Sequence, residues 1–177
     1  SALDNTGLLV AAGGVLTLGK DVSGTGAAHI NNAGTIVAAG AFNENVQFGG
    51  TAGMLELAHS QAYAGKISGF SHAGGASLDL RDIHFVSPSE ATFSGNASGG
   101  TLTVTDGTRT AKIKLVGDYT GSAFMAATDN NGGVTITDLG PHAVHGFVAA
   151  AAGTTGPADG APSPPPPPSP ALFAHHR

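Results

Sequence analysis

Asp79, Arg81 and Asp82 form a compact charged cluster at the end of an apolar stretch. Acids and bases on the outer face of a parallel β-helix can cleave polysaccharides, but general acid–base work needs them to converge in a cleft. One cluster, with no second segment contributing to it, predicts a solvated face instead. Gly69-Phe70-Ser71-His72-Ala73 approximates the Gly-x-Ser-x-Gly elbow of serine hydrolases. That elbow exposes its serine on a strand-to-helix turn, and no helical pattern follows Ser71. Two segments suggest calcium. Gly74-Gly75-Ala76-Ser77-Leu78-Asp79 partly matches the Gly-Gly-x-Gly-x-Asp nonapeptide, with Ser77 in place of the third Gly, and the motif does not recur. Asp129-Asn130-Asn131 offers hard oxygen ligands, although both segments also read as ordinary turns. His142/His145 and His175/His176 could hold a metal weakly, but no third ligand lies near either pair in sequence. These residues support no catalytic, cofactor-binding or metal assignment, and the chain is expected not to be an enzyme.

The composition narrows the alternatives. Seven basic residues are scattered among 177, and the formal net charge is -5. Nucleic-acid binding needs clustered Lys and Arg to release counterions, so no nucleic-acid partner is expected. Without Cys there is no disulfide scaffold and no thiolate metal site. No apolar run approaches the roughly 20 residues of a membrane-spanning helix. The opening Ser1-Ala2-Leu3-Asp4-Asn5 has neither a basic nor an apolar leader region, which suggests a processed product or a piece of something longer.

The elements that would position these groups are strands. Val15–Leu18, Thr35–Ala38, Met54–Leu57 and Ser77–Leu80 each follow a Gly-containing turn. Aligning Leu16, Ile36, Leu55 and Leu78 gives spacings of 20, 19 and 23 residues. A second set, around Leu8–Val10, His29–Ile30, Asn45–Phe48 and Lys66–Phe70, precedes the first, one member before each strand. Strand, tight turn, strand and longer turn in about 20 residues match one coil of a parallel β-helix, in which each repeat contacts only its neighbours. Alternation sends Leu16/Leu18, Ile36/Ala38, Leu55/Leu57 and Leu78/Leu80 inward, and Thr17, Val37, Glu56 and Asp79 to the wet face. A plain β-sandwich is the competing fold.

The pattern changes after residue 85. Thr101–Thr105, Asp106-Gly107 and Thr108–Leu115 predict a hairpin on a type I′ turn. Leu102, Val104, Ile113 and Leu115 should face in, and Thr103, Lys112 and Lys114 out. A last strand is expected over Gly133–Thr137. Antiparallel pairing here would terminate the coils and cover an edge. The expected organisation is coils over 1–85, a hairpin-rich part of the same domain over 86–140, and an Ala/Pro-rich tail or linker over 141–177. Eight of the ten prolines lie between Pro157 and Pro170. They favour polyproline II, as a linker or stalk, or as an arm docking on a neighbouring subunit.

Gly53-Met-Leu-Glu-Leu, Tyr63 to Phe70, Ser77 to Ile83, Gly100 to Gly107, and Gly117 to Gly121 through Gly132-Gly133 occur here as an ordered set. As a set they resemble a module of large repetitive surface proteins of proteobacteria, adhesin-like or autotransporter-like, over about residues 7–138. The resemblance implies secretion and a β-solenoid, but no defined activity. Such modules usually carry an Asp before the Leu-Asp-Leu strand, where this chain has Gly75-Ala76-Ser77. The expectation is an all-β parallel β-helix with an antiparallel C-terminal region and a proline-rich tail. In function it would be an extracellular structural or adhesive protein of the bacterial surface, self-associating into a homo-oligomer or biofilm-matrix filament. The alternatives are a carbohydrate- or surface-binding module and, less favoured, a polysaccharide-degrading enzyme.

Overall fold

The computed structural model describes residues 1–141. The tail predicted over 141–177 lies outside the described residues apart from Pro141. The chain is all-β and forms a β-solenoid of about 4 turns with mostly parallel pairing. The first coil holds β1 (Leu3–Asn5), β2 (Leu8–Ala12) and β3 (Val15–Leu18), and the second β4 (Val22–Gly24), β5 (Ala27–Asn31) and β6 (Thr35–Ala38). The third runs through Phe42 into β7 (Asn45–Phe48) and β8 (Gly53–Leu57). The fourth opens on a single 3₁₀ turn, Ser60–Ala62, and continues through β9 (Lys66–Ser68) and β10 (Ala76–Leu80).

The aligned residues pair as the spacing predicts: Leu16 with Ile36, Ile36 with Leu55, and Leu55 with Leu78. The second set stacks likewise, with Ala28 on Val46 and Val46 on Ile67. Sequence reading missed a third side. Leu3 pairs with Val22, and Val22 bridges to Phe42. Phe42 stacks on Tyr63 with ring centroids 6.2 Å apart, and the Tyr63 hydroxyl donates to the Glu44 carbonyl at 2.9 Å. Three inward-facing stacks therefore meet in one core. Gly69 forms a corner of the fourth coil at φ +69, where an added Cβ would stand 2.3 Å from the Phe48 carbonyl oxygen. Only glycine supplies that backbone without strain.

Beyond the fourth coil come β11 (Ala91–Asn96), β12 (Gly99–Thr105), β13 (Thr110–Val116), β14 (Phe124–Thr128) and β15 (Val134–Asp138). β13 extends the β2-β5-β7-β9 sheet by pairing parallel with β9, then turns it antiparallel through β12 and β11. β15 extends the other main sheet antiparallel to β10 and carries β14 on its far edge. Phe70, Phe93, Tyr119 and Phe124 pack together above the last coil. The hairpin faces point as predicted: Leu102, Val104, Ile113 and Leu115 are buried. Its turn differs from the prediction. Thr105 pairs with Thr110, leaving a four-residue loop, and Asp106 is not at positive φ, as a type I′ turn would require. Instead the Asp106 carboxylate accepts from the Thr108 and Arg109 amides at 2.8 and 2.6 Å. These bonds, the Arg109 one foremost, hold its carboxyl down at about 2. No helix among the described residues is long and apolar enough to cross a membrane.

Candidate functional site

The Asp79-Arg81-Asp82 cluster does not exist as one solvated face. Asp82 turns to the coil corner, where Oδ1 accepts from the Ser60 amide at 3.1 Å and Oδ2 from the Gln61 amide at 3.2 Å. Burial disfavours its charge, but the hydrogen bonds from Ser60 and Gln61 outweigh burial and hold its carboxyl below the ordinary range. Arg81 reaches Glu56 at 3.0 Å. Asp79 does lie on the outer face, beside Glu56 in β8 and opposite Thr135 in β15. It is nevertheless only 8% exposed. The loop from Asp129 to Gly133 packs here: a Cβ on Gly133 would meet Asp129 Oδ2 at 2.6 Å and the Leu80 carbonyl oxygen at 2.9 Å. Desolvation, then the charges of Asp129 and Glu56, push the Asp79 carboxyl up to about 6, with Arg81 opposing weakly.

A second cluster, unsignalled in the sequence, lies at the capped end. His72 Nδ1 is 2.7 Å from Asp138 Oδ2. The Ser122 hydroxyl donates to the same oxygen at 2.7 Å and lies 3.1 Å from His72 Nδ1. The Gly140 amide donates to Asp138 Oδ1 at 2.8 Å. Asp138 is fully buried, so these donors compensate its charge. The His72 ring lies 4.7 Å from that of Tyr119, and its side chain is 47% exposed. Asp118 is nearby; hydrogen bonds from the Thr120 hydroxyl and amide, then the field of His72, hold its carboxyl below the usual range. His72, Asp118, Thr120, Ser122, Gly140 and Pro141 help line an open groove of about 440 Å³.

A serine, a histidine and a buried aspartate in contact invite comparison with a hydrolase triad. The geometry differs in the decisive respect. In a triad the serine bonds one ring nitrogen and the aspartate the other. Here Ser122 and Asp138 both approach Nδ1, and the serine hydroxyl also donates to the carboxylate. What remains is an imidazole whose ring is oriented through Nδ1 and whose Nε2 makes no hydrogen bond among the described residues.

Ser71, the nucleophile of the elbow-like motif, accepts from the Ala73 amide at 3.1 Å within a turn. Its neighbour His72 joins the cluster instead. The two calcium-like segments come together, Asp79 under the Asp129 loop. Among the described residues, no three His, Cys, Asp or Glu side chains gather closely enough to hold a metal by themselves. His142, His145, His175 and His176 lie outside the described residues. His72, Asp138 and Ser122 come from three separate elements, so no spacing rule could have found them. No family model, curated protein or solved structure matches the chain.

Proposed function

We propose that this chain is a non-enzymatic, extracellular structural or adhesive protein of the bacterial surface that associates by stacking its first coil on another solenoid coil. One observation carries the reading. Leu3, Leu9 and Leu16 face inward, yet Leu3 is 44% exposed and Leu9 and Leu16 only partly covered. Their equivalents one coil on, Val22, Ala28 and Ile36, are buried. Among the described residues β2 and β3 also leave one edge unpaired, and such edges template further strands. The support for a surface location is the resemblance of residues 7–138 to surface-protein modules. Sedimentation of the full chain over a concentration series tests the stacking. Association that Leu9→Lys abolishes is expected; a monomer at every concentration would overturn it. Protease shaving of intact source cells tests the location, and protection from added protease would refute it.

A carbohydrate- or surface-binding role is the second reading. The groove beside His72 supports it, since an imidazole, a carboxylate and hydroxyls line one open space. Binding on a glycan array that His72→Ala removes would favour it, and a blank array would refute it.

A further inference from the structure

The outer face of the fourth coil carries an electrostatic imbalance. Glu56, Asp79 and Asp129 lie together there against one cation among the described residues, Arg81, which Glu56 engages at 3.0 Å. Asp79 is 8% exposed and its Oδ1, buried, has no hydrogen-bond partner. Asp129 Oδ1 accepts from the Asn131 and Gly133 amides at 2.6 and 2.8 Å, which holds the carboxylate in its own loop. Its Oδ2 has no hydrogen bond among the described residues, and the Gly133 contacts place it against the Leu80–Arg81 backbone. An unpaired buried carboxylate oxygen beside a second carboxylate is costly unless something positive lies between them.

We propose that the space between the outer face of β10 and the Asp129–Gly133 loop binds one divalent cation of calcium chemistry through Asp79 and Asp129. Protonation of Asp79 is the competing way to relieve the pair, and at pH 7.5 its carboxyl, raised to about 6, is mostly ionised. A calcium ion sits about 2.3–2.6 Å from each ligand and so can bridge two carboxylates that do not touch. Thr135, across from Asp79 on the same face, offers a hydroxyl, and water fills the remaining positions. Two carboxylates make a weak site, in the range of about 10⁻⁴–10⁻³ M typical of extracellular modules. The ion would tie the closing loop to the last coil, and magnesium, which demands a tighter octahedron, would fit less well.

The test is thermal unfolding and calorimetric titration of the full chain, after chelation, with calcium or magnesium chloride at pH 7.5. Calcium at about ten times Kd should raise Tm by about 4 °C. Asp79→Asn should unfold at a higher Tm than wild type without calcium and lose the response. Asp129→Asn, which keeps the Oδ1 acceptor, should weaken calcium binding at least about tenfold. Asp4→Asn, at the other end of the rod, should respond as wild type. No shift up to about 10 mM calcium, or a shift that survives in both Asp79→Asn and Asp129→Asn, overturns the site. An equal response to magnesium overturns the calcium assignment.

Discussion

At the first coil Leu3, Leu9 and Leu16 point into the core, and among the described residues no further coil covers them. At the far end the inward stacks run on into β13 and β15, and Phe70, Phe93, Tyr119 and Phe124 close the core. Both ends belong to the same two main sheets, and they differ in how the last strand is used. A parallel coil always presents another edge of its own kind. The cap ends that series by reversing direction, through β12 in one sheet and β15 in the other. The reversal brings polar side chains from distant segments together: His72 meets Asp138, and Asp79 meets the Asp129 loop. Both polar clusters of interest therefore sit where parallel pairing stops.

The largest expected effect separates mid-solenoid packing from the open end. Leu55→Ala, with its side chain fully buried between two coils, should cost about 3 kcal/mol in chemical denaturation, and Leu9→Ala about 1. Equal costs would mean that the first coil is covered in solution. Next comes the cap. Asp138→Ala strips a buried acceptor from His72, Ser122 and Gly140 and should cost about 2–3 kcal/mol. A neutral result would show that those bonds do not hold the cap.

A smaller effect is the pH response of Asp79. Its folded carboxyl is raised to about 6 from 3.8, so the proton binds the folded state more tightly. The stability this contributes is fully present below pH 3.8 and is lost as pH rises through about 6. In calcium-free buffer the loss should be about 1–2 kcal/mol, after discounting for solvent screening. Asp79→Asn should flatten it. The lowered carboxyls of Asp82, Asp106 and Asp118 act in the opposite sense and at lower pH, so the two responses separate.

The coils were legible because a parallel solenoid repeats one inward position per turn. Leu16, Ile36, Leu55 and Leu78 sit at near-constant spacing, and the structure pairs them in that register. The third side was not legible. β1 and β4 have three residues each, and the third coil contributes only the Phe42 bridge, too little for alternation to register. The parallel pairing of β13 with β9 was hidden for a different reason: its alternation is the same whether its partner runs with it or against it. Of the chemistry, the sequence signalled Asp79 and Asp129 separately. Their meeting depends on β15 folding back on β10, which no local pattern encodes. The same holds for His72, Ser122 and Asp138, whose residue types carry no signal until the cap assembles them.

Hydrogen exchange of individual amides, followed as the protein is concentrated, tests the open-coil account most directly. The β2 and β3 amides that face the open edge, and not those bonded to β5 and β6, should exchange fast in dilute solution and gain protection on concentration, while those of β11 and β14 stay unchanged. Full protection of β2 and β3 at the lowest concentration, or protection gained at β11 and β14 instead, would contradict it.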